Sequence, residues 1–252
     1  MSTRFAGLAG VVIAGLTCVT SARAVVITVG SEVGTLTLDS NLVGTVSANA
    51  DGSIQWSGSM QRADLGWGLD WNLAINEDPI AGVVPSFAAL TGGGPALSIS
   101  GVAGFTNLLG ATANFTFNVG AVSSLGAGVT TLNGASTITL LDTGTDGGVM
   151  AALAGGSIYD AVINGVSQQQ LFIDPFSLNA PPSGIDFTGA VWGKIPGGPI
   201  AVGDLFGINH AFSLTAGDQA TVNSSFFINL IPSPGSVALF GVAGLVALRR
   251  RR

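Results

Sequence analysis

The chain has 252 residues, 47% of them hydrophobic and only 9% charged, with 38 glycines, one cysteine and one histidine. Glycine at that density argues against long helices and for short strands joined by turns. A single cysteine and a single histidine exclude a disulfide framework and the usual zinc sets.

In chain order, the first segment is a secretory signal peptide. Arg4 supplies a basic start, residues 5–16 form an apolar run, and Ala22 and Ala24 flank Arg23 in the small-x-small pattern cut by signal peptidase. Cleavage there leaves a body starting at Val25 and removes Cys18, so the exported protein is expected to be cysteine-free. Residues 25–230 hold two bases, Arg62 and Lys194, against all 14 acids, a net charge of −12 where the whole chain carries −6. Such a body repels nucleic acid and anionic lipid.

The body reads as β. Val25–Val29 is a first short strand. Leu65, Trp67, Leu69, Trp71, Leu73 and Ile75 share one parity and polar or small residues the other, which is the period of a half-buried strand. Ile54, Trp56 and Met60 supply its partner, giving a hairpin over residues 53–76. The shared parity of Trp67 and Trp71 with leucines assigns both rings to the core. Further strands are expected around Ala113–Val119, Ser136–Leu141, Gln169–Ile173, His210–Leu214 and Val222–Leu230, and a short helix at Val149–Ala154. Glycine- and proline-rich breaks fall at residues 91–95, 120–128, 144–148, 181–182 and 196–199. Many short strands with turn signals between them predict one all-β domain, an antiparallel β-sandwich or jelly-roll-like fold over residues 25–230.

Three places in the body invite chemistry. Leu140-Leu141-Asp142-Thr143-Gly144-Thr145 is similar to the active-site loop of aspartic proteases, which needs two carboxylates sharing a proton. The sequence holds no second Asp-Thr/Ser-Gly motif, so only a symmetric dimer would complete the pair. The same loop, read as a calcium site, fails the EF-hand pattern: Gly144 stands at position 3 and Leu153 at position 12. A looser calcium site using Asp142, Asp146 and backbone carbonyls is the remaining metal reading; otherwise no cofactor is expected. Trp192, beside Gly193 and Lys194 in a proline- and glycine-rich stretch, is the aromatic ring best placed to meet a sugar. His210 lacks a nucleophile-elbow partner and reads as structural.

The last segment, residues 231–252, is the most specific. Pro232, Ser233, Pro234 and Gly235 precede a run of 13 apolar or small residues, 236–248, and then Arg249, Arg250, Arg251 and Arg252. Thirteen residues make a helix of only about 20 Å, short of the roughly 30 Å of a bilayer core. The arginines would hold the end on the cytoplasmic side. That is a helix suited to transient membrane insertion.

This tail resembles the PEP-CTERM sorting signal of exported bacterial proteins, with its Pro-Glu-Pro motif, hydrophobic helix and arginine-rich stop. Ser233 stands where that family carries glutamate. The resemblance implies export, cleavage near residues 232–235 by an exosortase-like enzyme, and residence at the cell surface or in the extracellular matrix. It implies no catalytic activity. The sequence therefore reads as a non-catalytic, exopolysaccharide-associated surface protein, with a carbohydrate-binding module as the alternative and an aspartic hydrolase through Asp142 as a third class.

Overall fold

The computed structural model describes residues 25–49, 53–76, 96–125 and 128–231. Ala22 and Ala24 of the expected signal peptide, the expected sorting motif Pro232–Gly235 and the arginines 249–252 lie outside them.

The described residues form fifteen strands and no helix: β1 Val26–Ser31, β2 Thr35–Asp39, β3 Thr45–Ala48, β4 Ile54–Arg62, β5 Trp67–Asn76, β6 Ala96–Asn107, β7 Ala113–Val122, β8 Thr130–Leu141, β9 Gly148–Ala152, β10 Ser157–Ile163, β11 Val166–Ile173, β12 Ser177–Ala180, β13 Ile185–Lys194, β14 Leu205–Leu214 and β15 Gln219–Leu230. They build two antiparallel sheets. One has the order β11-β10-β14-β7-β1-β2, with β9 also on β14 and β12 on β9; the other runs β13-β8-β15-β6-β5-β4-β3. The expected antiparallel β-sandwich is the observed architecture.

Period-two patterning explains the layers. Along β5 the buried side chains are those of Trp67, Leu69, Trp71, Leu73 and Ile75, while Asp70 and Asn72 face out. β15 repeats the pattern with Val222, Phe226 and Ile228 inside. Against them the other sheet sets Ile27, Val29, Phe115, Phe117, Ile208 and Phe212. Where the sheets meet, Phe105 packs edge-on against Phe117 and Phe212, with ring centroids 5.4 and 5.1 Å apart, a favoured aromatic geometry. Trp56 and Trp67 are fully buried and Trp71 nearly so, as their parity requires.

Glycine is required at a turn and at a close approach. Asn164 and Gly165 join β10 to β11 with φ of 51° and 75°, the positive-φ pair of a two-residue hairpin turn. At Gly58 a Cβ would run into the indole ring of Trp71, so only glycine lets that ring lie across β4.

One expected element is corrected. Residues 149–154 are not a helix: β9 covers Gly148–Ala152 and pairs with both β12 and β14. Met150 and Ala152 turn inward while Val149 faces out, so the segment follows a two-residue period that is hard to separate from a helical one over so few residues.

Candidate functional site

The outer face of the seven-stranded sheet is the site with the strongest claim. Strand register sets its rows. Ser59, Asp70, Gly104, Thr221 and Thr139 stand side by side across β4, β5, β6, β15 and β8. The next row holds Ser57, Asn72, Val102, Asn223 and Thr137. On the other side of the Asp70 row lie Gln61, Gly68, Thr106 and Gln219. Apart from Val102 these rows are hydroxyls, amides and glycines, with one carboxylate and no base.

Gly104 opens the middle of this face. A groove of about 340 Å³ lies over β5, β6 and β15, with Asp70, Asn72, Thr106, Gln219 and Thr221 around it and Val102 and Gly104 in its floor. The Asn72 amide oxygen is already fixed, accepting from Gln55 Nε2 at 2.6 Å. The side chains of Asp70, Thr106, Gln219 and Thr221 have no hydrogen-bond partner among the described residues. Donors and acceptors held on rigid strands and left unpaired are what a polar ligand needs.

The sequence-derived candidates fall elsewhere. Trp192 lies in β13, not in a loop, because β13 continues in register with β8 through Lys194. Its ring is half-buried, 5.8 Å from Phe226, and its Nε1 donates to the Tyr159 hydroxyl at 3.3 Å. That hydroxyl in turn donates to the Ser225 carbonyl at 2.9 Å, and burial pushes the phenol's pKa upward. Trp192 therefore seals the edge of the core, and the face it would offer a sugar rests on Phe226. Among the described residues the exposed aromatics are Phe187 and Phe227, both on the outer face of the seven-stranded sheet.

Asp142 staples its loop. It is 1% exposed, and its carboxylate accepts backbone N–H groups from Gly144 at 2.9 Å, Gly147 at 3.2 Å and Ser183 at 2.6 Å. The Ser183 N–H is the main reason its pKa sits below the usual carboxylate range. These donors present positive ends to Asp142, whereas calcium requires carbonyl and carboxylate oxygens. Asp146 is exposed and makes no bond to Asp142. Among the described residues no three His, Cys, Asp or Glu side chains gather to hold an ion.

The fold does supply what the protease-like motif lacks in sequence, a second carboxylate. Asp218, at the start of β15's turn, lies beside Asp142, accepting from the Thr143 N–H at 3.2 Å and from the Thr215 hydroxyl. Burial, and after it the neighbouring Asp142, raises its pKa. With exposures of 1% and 2% and their oxygens engaged, Asp218 ties the β8–β9 loop to the β14–β15 turn through the Thr143 N–H, and Asp142 ties it to the β12–β13 turn through the Ser183 N–H. His210 is a core residue, its Nδ1–H donating to the Ile158 carbonyl at 2.9 Å between Phe117 and Tyr159.

No family model and no curated protein matches the chain. Among solved structures it is similar to the native structure of a family 35 carbohydrate binding module from Clostridium thermocellum, at 11% identity, over 67% of this chain and 96% of that chain, with a TM-score of 0.23. At that TM-score the likeness carries nothing about ligands to this chain. No helix among the described residues is long and apolar enough to cross a membrane.

Proposed function

We propose that this chain is an exported, non-catalytic protein of the cell surface or extracellular matrix, and that it holds neutral polysaccharide on the outer face of its seven-stranded sheet. The observation that carries the reading is the groove over Gly104, with four unpaired polar side chains on rigid strands and no base in the rows around it. A sugar hydroxyl both donates and accepts; Asp70 accepts from it, Thr106 and Thr221 do either, and Gln219 does both through its amide. Val102 gives the apolar patch on which a sugar ring rests. The −12 charge of residues 25–230 disfavours anionic glycans and nucleic acid. Destination rests on the two terminal signals: signal peptidase cutting after Ala24, and an exosortase-like enzyme acting near Pro232–Gly235 after transient membrane insertion.

Gly104→Val tests the groove. A Cβ there meets nothing closer than 3.9 Å and the backbone is not in the left-handed region, so the valine fits the strand and fills the floor. Affinity for neutral glycan is expected to fall about tenfold or more, with the melting temperature held or raised by the better strand former. Equal binding by both proteins, or no neutral glycan bound by the wild type, would sink the reading. Export is checked separately by intact mass of the surface-derived protein: a species from Val25 to the Pro232–Gly235 region is expected, and retention of Arg249–Arg252 contradicts it.

A further inference from the structure

We infer that β13 is an interface between two copies of this chain, joined antiparallel, edge to edge, about a two-fold axis at Ala190. β13 ends the seven-stranded sheet: among the described residues its main chain pairs with β8 alone, and the one bond on its other side runs from the Asn179 N–H of β12 to the Asp186 carboxylate at 3.2 Å. At ten residues it is longer than the other sheet-ending strands β2, β3, β11 and β12, which have five, four, eight and four. Its outward face is also apolar: Ile185 is 60% exposed, Phe187 76% and Val191 81%, and Ile195 just past its end is 78% exposed. A long edge with unpaired main-chain groups and an apolar stripe is what natural sheets blunt or cover.

The strand's two charges fit covering rather than blunting. In an antiparallel pair opposed residues must share a face, so the two-fold axis has to pass through a residue. With the axis at Ala190, Asp186 faces the partner's Lys194, and Lys194 faces the partner's Asp186. On the outward face, Phe187 lies over the partner's Gly193 and Val191 over the partner's Gly189, each large side chain above a glycine. Ile185 meets the partner's Ile195. Moving the axis one residue, to Gly189, sets Asp186 against the partner's Trp192 and strands Lys194 beyond the end of the pairing.

The charge match is distinctive because bases are so scarce. Residues 25–230 hold only Arg62 and Lys194, and Arg62 is already paired with Asp64 at 2.6 Å. Repulsion between the two acidic bodies is screened beyond about 8 Å at physiological salt, so the opposed pairs at the seam decide the register. About ten main-chain hydrogen bonds would form, and the outer faces of the two sheets would run on as one platform, polar on each side of an apolar seam. The inference rests on the edge strand alone and stands whether or not that platform binds glycan.

Sedimentation of the full chain over a range of concentrations tests it. The wild type is expected to dimerise. Lys194→Asp puts like charges opposite each other at both ends of the seam, and the dissociation constant should rise about tenfold or more. Adding Asp186→Lys to Lys194→Asp swaps the charges and should restore the dimer. The exposed Lys194 side chain has no hydrogen-bond or ion-pair partner among the described residues, so Lys194→Asp is decisive even if Asp186→Lys, which loses acceptors for the Asn179 and Phe187 backbone N–H groups, melts early. A wild type that stays monomeric at every concentration overturns the inference, as does a dimer indifferent to Lys194→Asp.

Discussion

Trp56→Ala is expected to cost the fold about 4 kcal/mol, in the range for emptying a buried aromatic site. Trp56 has no accessible surface. Its ring meets Trp71 edge-on, with centroids 5.6 Å apart and planes at 72°, and its Nε1 donates to the Val43 carbonyl at 2.7 Å. The substitution thus removes three things together: a large apolar area, an aromatic pair and the bond tying the β2–β3 connection to β4. The glycines Gly44 and Gly58, which make room for the two indoles, cannot close the space because they carry no side chain. A thermal melt should show a fall of about 12 °C for a domain of this size. A shift of only a degree or two would mean that the tryptophan cluster is not the packed centre of this end of the sandwich.

Acidification is expected to weaken the fold through His210. Burial pushes this imidazole down to about 4 from its ordinary 6.5, and the surroundings are the rings of Phe117 and Tyr159 with no carboxylate bonded to it. As pH falls below about 6.5 the unfolded chain takes up a proton that the folded chain refuses, so stability drops until about pH 4, where the folded state protonates too. The difference between the two pKa values is worth about 3 kcal/mol. Asp142, whose pKa is lowered, adds loss in the same direction at lower pH, while Asp218, whose pKa is raised, opposes it. His210→Gln keeps a donor for the Ile158 carbonyl and cannot titrate. Denaturant unfolding of the two proteins from pH 7 to pH 4 should show the wild type losing about 3 kcal/mol more than the variant. Parallel curves would show that His210 is not held neutral.

The pattern of what was legible follows the range of the interactions. The hairpin of β4 and β5 was readable because its signal is local: parity along one strand fixes which face is buried, and Trp67 and Trp71 fell with it. The β10–β11 hairpin was equally readable in Asn164-Gly165, a strong turn pair that went unused beside the glycine-rich breaks. β9 misled because five residues cannot distinguish periods of 2 and 3.6 when apolar side chains crowd both faces. Trp192 misled because glycines and prolines around it signalled a loop, while its strand character comes from pairing with β8, about 60 residues earlier.

The Asp142–Asp218 contact and the groove were beyond local reading. Asp218 meets Asp142 only because β15 lies between β8 and β6, and its neighbours Ala216-Gly217 read as an ordinary turn. Thr106, Asp70 and Thr221 were each visible as the polar parity of a strand. Their convergence around Gly104 depends on the register of β5, β6 and β15, which nothing short of the paired sheet supplies. The absence of bases from the face, by contrast, was already implicit in a body with so few of them.

The most direct measurement is an amide-resolved NMR titration of the isotope-labelled chain with a neutral polysaccharide fragment. Chemical-shift changes are expected to concentrate at Asp70, Asn72, Gly104, Thr106, Gln219 and Thr221, leaving β1, β7 and β14 of the opposite sheet still. Shifts centred on Trp192 or on the Asp142 loop, or a spectrum that does not change at saturating fragment, would contradict the assignment of the seven-stranded face as the binding surface.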